Sequence, residues 1–256
     1  MVRSSVPRKI LGVIPARFGS TRFPGKVLAQ IAGKPMLRHV YERASLSTYL
    51  TSVVIATDDD RVYAVARSFG ARARMTRSDH ISGTDRAAEV ASAEEAEIVV
   101  NIQGDEPLIS PAAIDAAILP LVHEPDLVMG TLKKRIENPC EVQDPNVVKV
   151  VTNTAGDAIY FSRHAIPYER ESAVTWFFKH IGIYVYQRDF LLAYPDLPVG
   201  PLETAERLEQ LRALENGYRI RVVETEYESV GVDTPEDLER VSRAFYASNL
   251  QGRGNG

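Results

Sequence analysis

The feature that most limits the fold of this chain is a series of short apolar runs, each ending at a polar loop. Three of them, at residues 10–14, 52–56 and 97–102, have the length of buried strands. Segments with helical spacing of apolar residues follow, and we expect helices over 34–46, 60–69 and 85–95, with another beginning at Ser110. This alternation predicts an α/β, Rossmann-like fold: a mostly parallel central sheet with helices on both faces.

The second half of the sequence has a different pattern. Short strands with little helix between them are expected at 127–133, 147–151, 158–162 and 182–186. They predict a smaller antiparallel, β-rich substrate lobe within about residues 127–200. A helix over 202–216, a strand over 220–223 and a helix starting at Thr234 complete the pattern. We therefore expect one domain over 10–246, with a disordered leader over 1–9 and a frayed tail over 247–256.

Charge and cysteine content exclude several classes of protein. The chain has 30 Lys and Arg against 34 Asp and Glu, a net charge of −4, which argues against a nucleic-acid partner. It has no apolar run of about 18 residues, so we expect no membrane span. Cys140 is the single cysteine and has no partner for an internal disulfide, which favours a reducing, cytoplasmic location.

The loop after the first predicted strand, residues 15–26 (PARFGSTRFPGK), combines three cations with two glycines. Glycines allow backbone N–H groups to approach an anion, and Arg and Lys neutralise phosphate oxygens. The loop therefore predicts a polyphosphate site, with a plain basic surface loop as the alternative. It is not a P-loop, because five residues separate Gly19 from Gly25 and Val27 follows Lys26 where that motif has a hydroxyl residue.

Two acidic positions are candidates for a metal site. Asp105 lies in NIQGDEP, directly after the third predicted strand. A carboxylate there, beside a phosphate loop, suits Mg²⁺, which binds one or two carboxylates together with phosphate oxygens and water. Asp233, in GVDTP, is the second candidate. The alternative for Asp233 is an ordinary acid before a helix N-terminus, where a negative charge is favourable.

A third acidic segment, Asp58-Asp59-Asp60, leaves a different function open. It contains a D-x-D pattern, which is the metal motif of many nucleotide-sugar-dependent glycosyltransferases. The ordinary interpretation is N-capping of the helix predicted to begin at Asp60. The predicted polyphosphate and metal sites suit an enzyme that cleaves a nucleotide. A glycosyltransferase and a nucleotide sensor without enzymatic activity stay open as alternatives.

A set of segments in this order resembles the 3-deoxy-manno-octulosonate (Kdo) cytidylyltransferases, over about residues 11–241. The segments are PARFGSTRFPGK, residues 77–86, NIQGDEP, residues 161–163, KHIGIY, LEQLR and GVDTPEDL. The first loop alone fits several sugar nucleotidylyltransferases, whereas the whole set is more specific. A synthetase for another CMP-sugar, such as CMP-sialic acid, is the nearest rival, and HIGIY and LEQLR argue against it.

The resemblance implies that CTP and Kdo react to CMP-Kdo and pyrophosphate with Mg²⁺, which activates Kdo for lipopolysaccharide synthesis. It implies a nucleotidyltransferase fold and a homodimer, with dimer contacts in the β-rich lobe. On the nucleotide side it implies that Arg17 and Lys26 hold the triphosphate and that Asp105 and Asp233 hold Mg²⁺, all four with catalytic roles. Nucleotide contacts are further implied for Pro15, Ala16, Arg77, Ser82 and Gln103.

On the acceptor side, the resemblance implies that Kdo is bound by Arg163, His180, Tyr184, Glu209 and Gln210. The residues alone do not identify this sugar. From its position at the start of a strand, His180 is also consistent with a structural histidine whose hydrogen bonds are satisfied within the fold.

Overall fold

The computed structural model describes residues 8–19, 23–171 and 176–252. Its strands are β1 Ile10–Pro15, β2 Gln30–Ile31, β3 Lys34–Pro35, β4 Ser52–Thr57, β5 Arg72–Met75, β6 Ile98–Asn101, β7 Met129–Arg135, β8 Lys149–Thr152, β9 Ala158–Ser162, β10 Phe178–Gln187 and β11 Ile220–Glu224. Its α-helices are α1 Met36–Ala44, α2 Asp60–Ser68, α3 Gly83–Ser92, α4 Pro111–His123, α5 Pro139–Gln143, α6 Arg188–Ala193, α7 Pro201–Glu206, α8 Leu211–Glu215 and α9 Pro235–Gly252. Short 3-10 helices cover Lys26–Leu28 and Tyr194–Asp196.

Within the described residues, nine strands form one sheet, and seven of them follow the order β11-β7-β10-β6-β1-β4-β5. The strands β6, β1, β4 and β5 are parallel neighbours, and so are β7 and β11. Between the two groups, β10 runs antiparallel to both β6 and β7. The antiparallel pair β8 and β9 extends from β10. The predicted fold class, a mostly parallel sheet with a smaller antiparallel part, is confirmed.

Both faces of the sheet are buried, which explains why the first apolar runs lack polar positions. Successive side chains of a strand point to opposite faces. In β1, Ile10 and Ile14 pack in a cluster with residues of α1, α2 and α4. Leu11 and Val13 pack in a second cluster with residues of α3 and α6. The loops after the parallel strands therefore all open at one edge of a sheet that is held rigidly from both sides.

The helix predicted over 202–216 is wrong as a single element. Helix α7 ends at Glu206, and α8 begins only at Leu211. Between them Arg207 adopts the left-handed conformation, with φ 52° and ψ 48°. The Glu206 carboxylate accepts hydrogen bonds from the Ser162 hydroxyl at 2.6 Å and the Arg163 N–H at 2.9 Å, which joins the break to β9. The sequence pattern hid the break because apolar residues recur at helical spacing across it.

Two element ends differ from the prediction, and one strand was not predicted. The helix predicted from residue 34 begins at Met36, since Lys34 and Pro35 pair with β2 instead. Strand β5 was not predicted, because its sequence RARM lacks an apolar run. Helix α9 continues to Gly252, into the tail that we expected to fray from residue 247. Residues 1–7 of the expected leader and 253–256 of the tail lie outside the described residues.

None of the helices in the described parts of the chain combines the length and the apolar character needed to cross a membrane.

The break at Arg207 gives a test of the fold. Replacing Arg207 by glycine removes the cost of a left-handed side-chain residue, so we expect the free energy of unfolding to rise by about 0.5 kcal/mol. The control is Ala205→Gly, inside α7, which should lower it by about 1 kcal/mol. Urea titration of both variants measures the difference. An equal loss of unfolding free energy in Arg207→Gly and Ala205→Gly would contradict the break and indicate that one helix runs through residue 207.

Candidate active site

A cavity of about 430 Å³ lies where the loops after β1 and β6 meet the start of α3. This is the edge at which the parallel strands end, the usual ligand position in such sheets. Its lining includes eight residues that the sequence assigned to a site: Pro15, Arg17, Lys26, Ser82, Gln103, Asp105, Glu209 and Asp233. The further lining residues are Val27, His80, Ile81, Gly83, Arg86 and Gly104. The predicted phosphate loop and the predicted metal ligands therefore share one cavity.

A backbone hydrogen bond within the predicted phosphate loop holds Lys26 at the cavity. The Gly25 N–H donates to the Phe18 carbonyl at 2.9 Å. Gly25 has φ 72°, and a Cβ at this position would lie 2.8 Å from the Phe18 ring. Only glycine meets both conditions without strain. Lys26 follows directly as the first residue of a 3-10 helix. Arg22, the third cation of this loop, lies outside the described residues.

Lys26 binds both predicted metal ligands. Its Nζ lies 2.6 Å from Oδ2 of Asp105 and 2.9 Å from Oδ1 of Asp233. Burial lowers the pKa of the Lys26 ammonium, but the charges and hydrogen bonds of Asp105 and Asp233 outweigh it, and the pKa lies above its usual value. The two acids are brought together by the backbone, since the Val232 N–H donates to the Asp105 carbonyl at 3.0 Å. The site therefore holds a charged lysine between two carboxylates.

The two carboxylates fit a magnesium ion that arrives with phosphate. Both line the cavity, and their side chains keep 29% and 45% of their surface exposed. Mg²⁺ needs only one or two carboxylates when phosphate oxygens and water complete its shell. Within the described residues, no group of three or more His, Cys, Asp or Glu side chains is placed to hold a metal ion. The donors present thus match a metal shared with a bound triphosphate.

The cavity wall on the α3 side is built by close packing and capping. The Ser82 hydroxyl accepts from the Asp85 N–H at 3.1 Å, and the Asp85 carboxylate accepts from the Ser82 N–H at 3.1 Å, a capping box at the start of α3. Gly104 is required on the opposite side, because a Cβ there would lie 2.7 Å from the Pro15 carbonyl oxygen. Pro15 and Ser82 are therefore held in fixed positions at the cavity.

Two predicted nucleotide contacts do not line this cavity. Ala16 is fully buried, and its N–H donates to the Ala56 carbonyl at 2.8 Å. Arg77 lies in an adjoining cavity of about 970 Å³, where its guanidinium pairs with Asp79. The adjoining cavity shares His80, Ile81, Ser82 and Glu209 with the first. Sequence position alone did not separate these two neighbouring cavities.

Glu209 separates the two cavities. Burial raises the pKa of its carboxyl group, with a further rise from the nearby Asp85, although Thr84 donates a hydrogen bond to it. Among the described residues, the buried Oε1 atom of Glu209 has no hydrogen-bond partner. An unpaired buried oxygen is costly, and it belongs here to a residue that lines both cavities.

Three other predicted acceptor-side residues, His180, Tyr184 and Gln210, are connected by side-chain contacts on and beside β10. The Tyr184 hydroxyl donates to Oε1 of Gln210 at 3.0 Å, and its ring centroid lies 5.3 Å from that of His180. Nε2 of His180 lies 2.8 Å from the Thr131 hydroxyl, and burial lowers the pKa of this histidine to about 3, so it is neutral. None of the three lines either cavity.

Further contacts place Arg163 of the predicted acceptor side and Gln103 of the predicted nucleotide side. The Arg163 guanidinium donates to the carbonyls of Glu206 at 2.8 Å and Pro145 at 2.9 Å, and Arg163 lines neither cavity. Gln103 connects the first cavity to β10, since its Nε2 donates to the Gly182 carbonyl at 3.2 Å. Gly182 lies where the register of β10 against β7 shifts, and such bulges often re-aim side chains near a site.

Two carboxylates of the D-x-D segment make contacts within the fold. Asp59 is the N-cap of α2, and its carboxylate accepts from the Arg61 N–H at 2.9 Å. Asp58 pairs with Arg86, with Oδ2 and Nη2 3.1 Å apart. None of the three aspartates lines the cavity. The capping interpretation is confirmed, with Asp59 as the capping residue. Arg86 was missed as a cavity residue, although it lies in the segment 77–86 that carried the resemblance.

Known proteins are similar to this chain over nearly its full length. The cytidylyltransferase family profile matches residues 11–220. A 3-deoxy-manno-octulosonate cytidylyltransferase of Solibacter usitatus (strain Ellin6076) is 80% identical over 98% of this chain and 100% of its own. One of Geobacter sulfurreducens is 57% identical over 91% of this chain and 97% of its own.

Solved structures agree with the sequence comparison. A CMP:2-keto-3-deoxy-manno-octonic acid synthetase complexed with CTP has a TM-score of 0.91 at 46% identity, covering 94% of this chain and 99% of its own. A 4-diphosphocytidyl-2C-methyl-D-erythritol synthase of Anaerococcus prevotii shares the fold, with a TM-score of 0.63 at 12% identity over 94% of this chain and 99% of its own. The chain belongs to the cytidylyltransferase family, among the 3-deoxy-manno-octulosonate cytidylyltransferases.

Proposed function

We propose that this protein transfers CMP from CTP to Kdo and releases pyrophosphate. The observation that carries the proposal is the cavity in which Lys26 and Arg17 face Asp105 and Asp233. Such a set suits a nucleoside triphosphate with its metal ion. The identity of 80% to a 3-deoxy-manno-octulosonate cytidylyltransferase supports Kdo rather than another sugar acid as the acceptor.

The reaction is an in-line displacement at the α-phosphorus of CTP. The anomeric hydroxyl oxygen of Kdo forms the new bond to phosphorus, and the bond to the β-phosphate oxygen breaks. Pyrophosphate leaves with that electron pair, and the hydroxyl proton passes to solvent. Phosphoryl transfer of this kind depends on positioning and charge stabilisation more than on covalent chemistry. No covalent enzyme intermediate is needed, and the free Cys140 is exposed and lines neither cavity.

The cations of the cavity act on the leaving group. Lys26 is charged, because its pKa is raised by its carboxylate partners. Arg17 is exposed at the cavity and free to follow the phosphates. Fixed positive charge near the β- and γ-phosphates stabilises the charge that develops on pyrophosphate. Both residues therefore favour bond cleavage without taking part in a covalent step.

We further propose that Asp105 and Asp233 hold Mg²⁺ when the triphosphate is bound. The ion would supply neutralisation of phosphate charge and polarisation of the α-phosphoryl oxygen. The exposure of both carboxylates in the cavity supports this assignment. Lys26 would then move from the carboxylates to the phosphates, so that its ammonium pairs with carboxylates before CTP binds and with phosphate afterwards.

A homodimer acting in the cytoplasm is also part of the proposal. Among the described residues of the lobe between 127 and 200, four large apolar side chains are exposed in the single chain: Ile159, Tyr168, Trp176 and Val199. Exposed apolar groups of this kind favour contact with a second copy. The cytoplasm is supported by the free Cys140 and by the use of CTP.

Pyrophosphate release tests the reaction directly. The purified protein is incubated with Mg²⁺ and with CTP, UTP, ATP or GTP, each with and without Kdo. We expect pyrophosphate only when CTP and Kdo are both present. CTP binding without release would instead indicate a nucleotide sensor. Release that does not depend on Kdo would exclude Kdo as the acceptor.

Glu209 tests the acceptor side of the site. Replacing Glu209 by glutamine keeps its shape but removes one hydrogen-bond acceptor at the boundary of the two cavities. We expect KM for Kdo to rise about tenfold, the effect of about 1.4 kcal/mol, with KM for CTP nearly unchanged. Steady-state kinetics with each substrate varied in turn measures this.

The matched variant is Asp105→Asn, which changes one carboxylate of the same cavity in the same way. We expect it to lower kcat at saturating CTP and Kdo, since it weakens the metal site rather than acceptor binding. A larger effect of Glu209→Gln on CTP than on Kdo would contradict the placement of the acceptor beside Glu209.

A further inference from the structure

Arg86 is an unusual residue at its position. It lies in the first turn of α3, where the helix dipole disfavours a positive charge. Its side chain is only 5% exposed, although arginine is almost never fully buried without a partner. It also lines the candidate active-site cavity. A buried cation at the positive end of a helix needs compensation, and the neighbouring strands supply it.

The Arg86 guanidinium joins the ends of two parallel strands. Nη2 donates to Oδ2 of Asp58 at 3.1 Å, and Asp58 follows β4 directly. Nη1 donates to the Thr76 hydroxyl and, at 3.3 Å, to the Arg77 carbonyl, and both residues directly follow β5. The planar fork of arginine contacts all three groups at once, which a lysine cannot do.

These contacts fix one end of the loop over residues 77–82. The Arg77 carbonyl is held by Arg86, and the Arg77 N–H donates to Oε2 of Glu89 at 3.1 Å. The same glutamate oxygen pairs with Nε2 of His80. The loop ends at Ser82, the N-cap of α3. Its residues His80, Ile81 and Ser82 form one wall of the cavity, and Ile81 is 93% exposed.

We propose that Arg86 and Asp58 are a positioning pair that holds residues 77–82 as the nucleotide-side wall of the cavity. The pair sets the affinity for CTP through this loop rather than the rate of the chemical step. The contacts that carry the inference tie Arg86, which lies in the helix at which the loop ends, to the end of β5, from which the loop starts, and to the end of the neighbouring β4. The inference rests on the proposed function, because it takes CTP as the nucleotide in this cavity.

The test uses two conservative variants, Arg86→Lys and Asp58→Asn. Arg86→Lys keeps the charge and loses the fork, and Asp58→Asn keeps the shape and loses the charge. We expect each to raise KM for CTP, and Kd for CTP in calorimetry without Kdo, by about tenfold. KM for Kdo and kcat should stay within about twofold of the wild type. In the double variant, Kd for CTP should exceed that of either single variant by no more than about twofold, because both substitutions remove the same Arg86–Asp58 contact.

The control is Arg221→Lys. Arg221 is a similarly buried arginine, 17% exposed, whose guanidinium contacts Asp157 at 2.7 Å and Glu124 at 2.6 Å, and it does not line the cavity. We expect it to lower Tm while Kd for CTP stays unchanged. Hydrogen exchange of the amides of residues 77–82 should quicken in Arg86→Lys and Asp58→Asn but not in Arg221→Lys.

The outcomes separate the inference from the proposed function. If the wild type releases no pyrophosphate from CTP and Kdo, the proposed function fails. If the wild type is active and both Arg86→Lys and Asp58→Asn keep Kd for CTP within about twofold, the positioning role is overturned. A fall in kcat with unchanged Kd for CTP also overturns it. If Arg86→Lys does not fold, Asp58→Asn alone decides the question by the same measurements.

Discussion

The ammonium of Lys26, held between Asp105 and Asp233, is the interaction on which the site depends. Three separate parts of the chain meet there: the loop after β1, the loop after β6 and the segment before α9. Two carboxylates on one cavity wall repel each other unless a cation lies between them. Lys26 supplies that cation in the free protein, and in our proposal a metal ion and phosphate take over when CTP binds. The close approach of the loops follows from this requirement.

The fold provides the rigid edge that this interaction needs. Helices cover both faces of the parallel strands, so their carboxyl ends stay in register. Gly25 and Gly104 allow backbone approaches that a side chain would block. On the other side, antiparallel β10 carries Tyr184, whose hydroxyl donates to Gln210, the residue next to the cavity-lining Glu209. In our proposal, the nucleotide and acceptor sides thus depend on parallel and antiparallel parts of the same sheet.

Much of this site was predictable, because short stretches of sequence indicate where each strand ends and its loop begins. Parallel strands place their following loops together, so Lys26 and Asp105 were expected at one edge from the alternation alone. The left-handed Arg207 was not predictable, because the apolar spacing continues across the break and the stabilising contact of Glu206 with β9 is distant in sequence. Arg86 and Asp58 were missed as a pair for the same reason, being 28 residues apart. The local sequence pattern predicts where strands end, whereas contacts between side chains that are distant in sequence become visible only in the folded structure.

The most direct measurement of the central claim is the thermal stability of Lys26→Met with and without Mg²⁺. The substitution removes the Lys26 ion pairs with Asp105 at 2.6 Å and with Asp233 at 2.9 Å, so Tm in EDTA should fall by about 3–6 °C, the shift for about 1–2 kcal/mol in a chain of this size. Millimolar Mg²⁺ should then raise Tm more in the variant than in the wild type, because the Lys26 ammonium no longer competes with the metal ion for the two carboxylates. Lys34→Met removes an exposed pair with Glu42 and should change neither value. An unchanged Tm and an equal Mg²⁺ response in Lys26→Met and wild type would contradict the account.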